Sequence, residues 1–540
     1  MTSRTWLLAS GSNGSGQLGI GHAEDVSTYT YCQFSSSTSK PGQMDGPSSM
    51  SGTVAQITSG AGHSLLLLNE DLDTSESKDV WNTTSLWTTG SNQYNQLGPD
   101  FATGEDEPSH TSWRQLDHMS CIKAAGLPIE TTNRYSPKKI ACSWSTSVVC
   151  FGHERQGPDG VWSKLSDKTI SFGSNDFGEL GCGDERNTAS VPGQGGTRVH
   201  VVKLPESRRP GERLAVRVIK ASHRNFFCIC DRVSDTDGRS QSVVYGWGAG
   251  RHGQLDLQTA VLAGVSLEGS GASRKGSSVL AKSQPPVQPR LAMKERPTKS
   301  LNGSEIAVRS TGGIRLKKST YPSSYPCPVE LDVVSAASGK AARGSDWMVD
   351  DVAVGAGHVL FRLRSITCED CVVMGLGSNA KHQLDLHFAA PRSETPRWAH
   401  IACTWNGSFL TEEGDRIWST GTNTHGQLGR GGTGIGTEDK SSSVIGLQGV
   451  RKFPSDCDEA KIIKVVGGSE HLLALTRGSG ADIKTWTWGW NEHGNLGLGT
   501  GDVQDRWEPV EVAIDATQTV LDAWAGCGTS WLLIESTSNT

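Results

Sequence analysis

Nowhere in this chain does an apolar run approach the roughly 20 residues of a membrane-spanning helix. Met1 to Ser10 holds one Arg and no apolar core of signal-peptide length, so neither export nor membrane insertion is expected. Thirteen cysteines are scattered rather than framed, which excludes a disulfide scaffold and suits a cytoplasmic, or also nuclear, location. The Asn-x-Ser/Thr matches at Asn82, Asn302 and Asn406 are chance matches without an export signal. Catalytic signatures are missing too: no Gly-x-Ser-x-Gly, no His-Glu-x-x-His, no Walker A loop, no acidic pair tied to a recognisable motif. Aromatic residues make up only 6% of the chain, yet 17 are Trp, and Gly reaches 65. Such a chain reads as a non-enzymatic binding protein built from tight turns, with no cofactor or metal implied.

What is present is a repeat, and an internal repeat decides the architecture before any local motif. One phrase occurs seven times: a Gly, usually Asn two residues later, and Leu seven later followed by Gly or Asp. The copies start at Gly11, Gly90, Gly173, Gly248, Gly377, Gly421 and Gly489. A second phrase alternates with it, as Gly60-Ala-Gly-His63, Gly355-Ala-Gly-His358 and Gly468-Ser-Glu-His471, each running into an apolar stretch. Weaker copies end at Trp144, His223, Trp405 and Thr529. Short apolar runs bounded by Gly, Asn and Ser are strands and turns. Seven units of short strands predict an all-β fold, a seven-bladed propeller with radially packed blades.

The chain opens on the second half of a unit (Trp6-Leu-Leu-Ala) and closes on a first half (Trp531-Leu-Leu-Ile). Pairing these ends completes the seventh blade and removes the edges an open ring would expose. Residues 1–540 therefore read as one monomeric ring. Residues 257–350, rich in Ser, Gly, Pro, Lys and Arg, read as a disordered insertion, with smaller polar loops at 33–52 and 100–112. Residues 271–320 hold eleven Lys or Arg against Glu295 and Glu305, while the whole chain carries −6. The rest is thus acidic, the wrong sign for wrapping DNA, so a protein partner is expected and direct DNA binding is not.

Apparent sites dissolve into the repeat. Gly248-Ala-Gly-Arg-His-Gly253 satisfies the dinucleotide pattern, but no helix pattern follows it to face a pyrophosphate. Cys368-Glu-Asp-Cys371 lacks a second ligand pair for zinc. Cys228-Ile-Cys230 places two thiols on one strand face, as core packing would. The recurrent position holding His63, Trp144, His223, His358, Trp405, His471 and Thr529 is too dispersed around a ring to gather one metal ion. Each ring either ties its own turn or lines a partner-binding face, where aromatic anchors suit an interface. The face expected is His63, Trp144, His223, His358, Trp405 and His471, with Trp531 beside it closing a blade.

The two phrases together resemble the repeats of the regulator of chromosome condensation family, and Gly421-Thr-Asn-Thr-His-Gly-Gln-Leu-Gly429 is nearly an ideal copy. The resemblance implies a seven-bladed propeller closed by strands from both termini. The founding member of that family is an exchange factor for the small GTPase Ran, anchored to chromatin by a basic N-terminal tail. Here Trp6 already reads as strand, and the basic stretch is internal. The opening, Gly11 to Val26, is similar to the start of the fungal alpha-tubulin suppressor, or killer-toxin-insensitivity, propellers. That likeness implies partnership with a small Cys-rich, metal-binding electron carrier in diphthamide synthesis and Elongator-dependent modification of tRNA wobble uridine. Exchange activity on a Ran-type GTPase, or an adaptor role in ubiquitin or trafficking pathways, are the alternatives, although no ligase, kinase or BTB-type domain is visible.

Overall fold

The computed structural model describes residues 4–35, 50, 52–70, 84–101, 109–183, 199–205, 210–263, 321–338, 347–388, 396–431, 446–451, 453, 460–478, 482–499, 501 and 503–536. Seven sheets of four or five strands surround one axis, antiparallel except where Phe34–Ser35 runs parallel to His110–Leu116 in blade one. Their innermost strands are Gly52–Ser59, Asn133–Cys142, Glu212–Ser222, Trp347–Val354, Trp398–Cys403, Lys461–Gly467 and Gln518–Ala525, in blades one to seven. Each innermost strand carries one register shift against its neighbour, at Val54/Gln56 in blade one and Val520/Asp522 in blade seven. Such bulges add the local twist a radial blade needs.

Both faces of every blade are covered, so the second strands read as continuous apolar runs rather than alternating ones. In Ser64-Leu-Leu-Leu-Leu68, Leu65 and Leu67 enter the seam with blade two, and Leu66 and Leu68 enter the seam with blade seven. Successive side chains of a strand point to opposite faces, so one run feeds two cores. Each of the seven blade-to-blade seams holds its own hydrophobic cluster.

The ring closes as the sequence predicts. Strand Arg4–Gly11 pairs with Thr529–Ser536 in unbroken antiparallel register, from Arg4 opposite Ser536 to Gly11 opposite Thr529. Blade seven thus takes two strands from each end of the chain.

The insertion is shorter than its composition implies. Residues 264–320 and 339–346 lie outside the described residues, as do most of 33–52 and residues 102–108. Within 257–350, however, strand Ser324–Leu331 forms the outer edge of blade three, and Val261–Leu262 forms the outer edge of blade four. The composition of 257–350 reads as non-folding, but an outermost strand tolerates Pro326 and Pro328 because the missing N–H of Pro can face away from the sheet. A short helix, Val333–Ser338, follows and buries Val333 and Ala337 in the seam between blades three and four.

Candidate protein-binding face

The repeated phrase is the turn that ends the third strand of each blade. All seven phrase glycines have positive φ, from 94° at Gly248 to 125° at Gly421. A methyl group at any of them would strike a backbone carbonyl in the preceding inner loop, that of Asn406 for Gly421. The same carbonyl accepts the N–H of the residue after the glycine, as in Ser91 to Gly62 (2.8 Å) and Trp490 to Glu470 (2.9 Å). The phrase Asn then folds the turn over, its side-chain oxygen accepting the backbone N–H of the phrase Leu (Leu97 to Asn92 2.8 Å, Leu428 to Asn423 2.9 Å). That bond buries the Leu in a seam, where Leu97 and Leu496 are fully covered.

The ring-bearing residues that the sequence places in one register occupy two. Strand pairing sets His63, Thr146, Asn225, His358, Gly407, His471 and Thr529 opposite the phrase glycines. Trp144, His223 and Trp405 lie two residues earlier, level with Ala61, Ala356, Ser469 and Cys527. The two groups have different work.

His63, His358 and His471 are fully buried, as is Trp531, and none of the four can touch a partner. Ser147 Oγ donates to the Gln96 carbonyl (2.7 Å), so His63 Nε2, 3.0 Å away, must be the N–H that donates to Ser147. The same relay runs from His471 to Ser530 (3.1 Å) and on to the Asn495 carbonyl (2.7 Å). His63 and His471 therefore each clip their blade to the next, whereas neither ring nitrogen of His358 has a hydrogen-bond partner among the described residues. Burial lowers the pKa of His63 to about 3 and of His358 and His471 to about 4, so all three stay neutral. Trp531 packs in the seam between blades seven and one.

Trp144, His223 and Trp405, from blades two, three and five, meet over the axis. Their ring centroids are 5.1 Å (Trp144–His223), 6.2 Å (Trp144–Trp405) and 6.1 Å (His223–Trp405) apart. All three remain partly exposed. Backbone bonds fasten this mouth from blade to blade: Ala61 to Trp144 (2.9 Å), Trp144 to His223 (2.7 Å), Ala356 to Trp405 (3.0 Å) and Trp405 to Ser469 (2.7 Å). His223 holds φ at 35°, a left-handed conformation that a side-chain-bearing residue rarely adopts.

Around this aromatic centre the phrase turns supply residues that the sequence reading missed. Phe177 lies between the guanidinium groups of Arg224 (5.1 Å) and Arg251 (5.3 Å), and Arg224 also pairs with Asp176 (2.5 Å) and Glu179 (3.3 Å). On the opposite side Trp490 stands edge-on to His493 (5.2 Å) and near His425 (6.2 Å). His493 bonds Asp25 of blade seven (2.6 Å), and His425 bonds Asp505 of blade six (2.8 Å). Those aspartate bonds, against the opposing effect of burial, raise both histidine pKa values. Burial raises the Glu470 carboxyl, although Asn406 (2.7 Å) and Gln427 (3.1 Å) both donate to it. The missed signal was the fifth phrase position, which carries an aromatic or imidazole ring at Phe177, His425 and His493.

Comparison with known proteins agrees with this architecture. The regulator of chromosome condensation (RCC1) repeat model matches residues 484–533, a unit running from the third strand of blade six into blade seven. The ultraviolet-B receptor UVR8 of Arabidopsis thaliana is 26% identical over 153 residues, 28% of this chain and 30% of that receptor's length. Human WBSCR16 superposes over 100% of both chains with a TM-score of 0.54 at 16% identity. Yeast Prp20, in complex with Kap60, gives 0.54 at 13% identity, covering 100% of this chain and 90% of that one. At these identities the solved structures share the fold.

Proposed function

We propose that this propeller, one unit of which matches the RCC1 repeat model, is a non-enzymatic protein-binding ring whose partner seats on the mouth formed by Trp144, His223 and Trp405. The observation that carries this reading is the convergence of three partly exposed aromatic rings from separate blades, with a strained backbone at His223. Rigid aromatic side chains at a desolvated centre dominate interface energetics. Positive groups at Arg224 and Arg251 and negative groups at Asp25, Glu492 and Asp505 flank the centre on different sides, so a partner would be oriented as well as held.

For the partner we favour a small Cys-rich metalloprotein that carries electrons, which would place the ring as a regulatory subunit in diphthamide synthesis and wobble-uridine modification, in the cytoplasm and nucleus. The support is the likeness of Gly11 to Val26 to the propellers of that branch. A Ran-type exchange factor is the second reading. It is favoured by the shared fold with Prp20, a protein described by its binding to Gsp1p and histones.

The test is affinity purification of the tagged chain alongside a Trp144→Ala/Trp405→Ala variant. Near-equal recovery of a small metalloprotein, lost in the variant while its melt is retained, is the expected result. Recovery of a Ran-type GTPase, with faster GDP release on adding the chain, selects the second reading. Equal recovery of every partner by the variant would move the interface off this mouth.

A further inference from the structure

We propose that Cys182 and Cys327 form a reversible disulfide that staples the phrase turn of blade two to the outer strand of blade three when the surroundings become oxidising. Cys182 directly follows the turn Gly173–Gly181, and Cys327 lies in strand Ser324–Leu331. Cys182 is partly exposed, Cys327 is exposed, and both are free thiols.

Their register follows from the way each phrase turn docks on the next blade. The Gly21 N–H donates to the Thr111 carbonyl (2.8 Å), and the residues beside that bond, Ile20 and Ser112, form an antiparallel bridge. The Gly499 N–H donates to the Ser27 carbonyl (3.0 Å), and Leu498 and Thr28 form the same bridge. In blade two the Gly183 N–H donates to the Pro326 carbonyl (2.9 Å), which sets Cys182 opposite Cys327. The docking is close, since a methyl group on Gly178 would stand 2.6 Å from Pro326 Cα, as one on Gly16 would stand 3.0 Å from Thr111 Cα. Cys327 Sγ turns toward the same place, because a methyl group on Gly183 would lie 2.9 Å from it. Opposing residues that flank a hydrogen-bonded pair stand about 4.5 Å apart at Cα, and a disulfide spans about 4.4–6.8 Å. Rotation of the two side chains therefore closes the bond without moving the backbone.

Pro326 and Pro328, on either side of Cys327, have no N–H to return to the turn, so a staple adds what the backbone there lacks. The other close thiols are less suited. The sulfurs of Cys228 and Cys230 lie 3.3 Å apart, but both residues are fully buried in a seam and closed to an oxidant. Cys368 and Cys371 are each engaged elsewhere, donating to Asp370 (3.1 Å) and to the Trp398 carbonyl (3.4 Å).

Oxidised glutathione balances the reaction. The exposed Cys327 thiolate attacks one of its sulfurs, breaks the S–S bond and releases one glutathione thiolate. The Cys182 thiolate then attacks the Cys327 sulfur of the mixed disulfide, forming the protein S–S bond and releasing the second glutathione. Two protein thiols are oxidised, one glutathione disulfide is reduced, and the two thiol protons end on the released glutathiones. In a reducing compartment such transient disulfides serve redox sensing. Phe177 lies in the stapled turn, so closure would stiffen one flank of the proposed partner face; that consequence alone rests on the binding reading.

The experiment equilibrates the whole chain in glutathione buffers of rising oxidised fraction, alkylates the free thiols and maps unreduced peptides by mass spectrometry. The expected result is a Cys182–Cys327 crosslink that dithiothreitol removes. The oxidised form should also melt several degrees higher, because the crosslink constrains an unfolded loop of roughly 145 residues. Cys182→Ser should instead hold glutathione on Cys327 as a lasting mixed disulfide, and Cys368→Ser should crosslink as the wild type does. Melts in dithiothreitol establish that each variant folds. Full alkylation of both thiols at every oxidised fraction overturns the proposal. So does a mixed disulfide on Cys327 that lasts as long in the wild type as in Cys182→Ser, or a crosslink from either cysteine to a third. None of these readings uses a partner, so loss of the binding reading leaves them standing.

Discussion

Replacing Gly421 with Ala tests the account of the repeat, because Gly414 in the same blade provides a matched control. The two glycines have nearly equal φ, 125° and 120°, so an alanine suffers similar backbone strain at either. At Gly414 nothing lies within 4 Å of the added methyl. At Gly421 the methyl would overlap the Asn406 carbonyl and lie 2.7 Å from Gly407 Cα. Both obstacles are backbone, so relief means parting the turn and losing the Thr422 to Asn406 bond (3.1 Å). Left-handed strain costs about 1–2 kcal/mol at both sites. Overpacking adds about 1–3 kcal/mol at Gly421, and the lost bond about 1 kcal/mol. Gly421→Ala is therefore expected to destabilise by about 3–6 kcal/mol and Gly414→Ala by about 1–2 kcal/mol, as read from urea midpoints at unchanged slope. Equal losses in the two variants would refute the idea that the repeated glycine exists for the carbonyl behind it.

Asp25→Asn should lower the melting temperature more at pH 6 than at pH 8.5. The raised folded-state pKa of His493 contributes stability below the unfolded value, and that stability is lost as pH rises through the folded value. Both partners are about 35–40% exposed, so solvent screening holds the effect to about 0.5 kcal/mol. His63→Gln should flatten the acid limb of the stability curve. Its folded pKa is depressed to about 3, so the wild type loses stability as pH falls from about 6.5 toward that value, and the variant loses less. Deleting residues 264–320 should cost less than a deletion carried through 345, which also removes strand Ser324–Leu331 and the buried Leu331, Val333 and Ala337; circular dichroism melts of the two deletions check this.

Blade number, ring closure and the turn role of the seven glycines were all legible, because each rests on short-range chemistry repeated often enough to be read as a pattern. The register of the inner loops was not. Gly-Ala-Gly-His and Ala-Cys-Ser-Trp look alike as strings, yet only hydrogen-bond pairing shows that His63 sits opposite Gly90 while the place of Trp144 is that of Ala61. Burial then divides the histidines: His63 is enclosed and His223 is not. Composition also misled at Ser324–Leu331, where two prolines signal a loop unless the strand is known to be an edge.

The closure of blade seven sets a waiting time on the ribosome. Strand Arg4–Gly11 precedes every other strand of the ring in synthesis, and Thr529–Ser536, its neighbour toward the axis, follows all of them. At about 5–20 residues per second, the roughly 520 residues between them take about half a minute to nearly two minutes to synthesise. Through that interval Leu7 and Leu8 belong to an edge with one side unpaired, although the finished ring buries both. The nascent ring is thus most exposed to wrong strand partners until Thr529–Ser536 covers that side of the first strand, and its yield in a cell would depend on whatever shields the first strand until the last arrives.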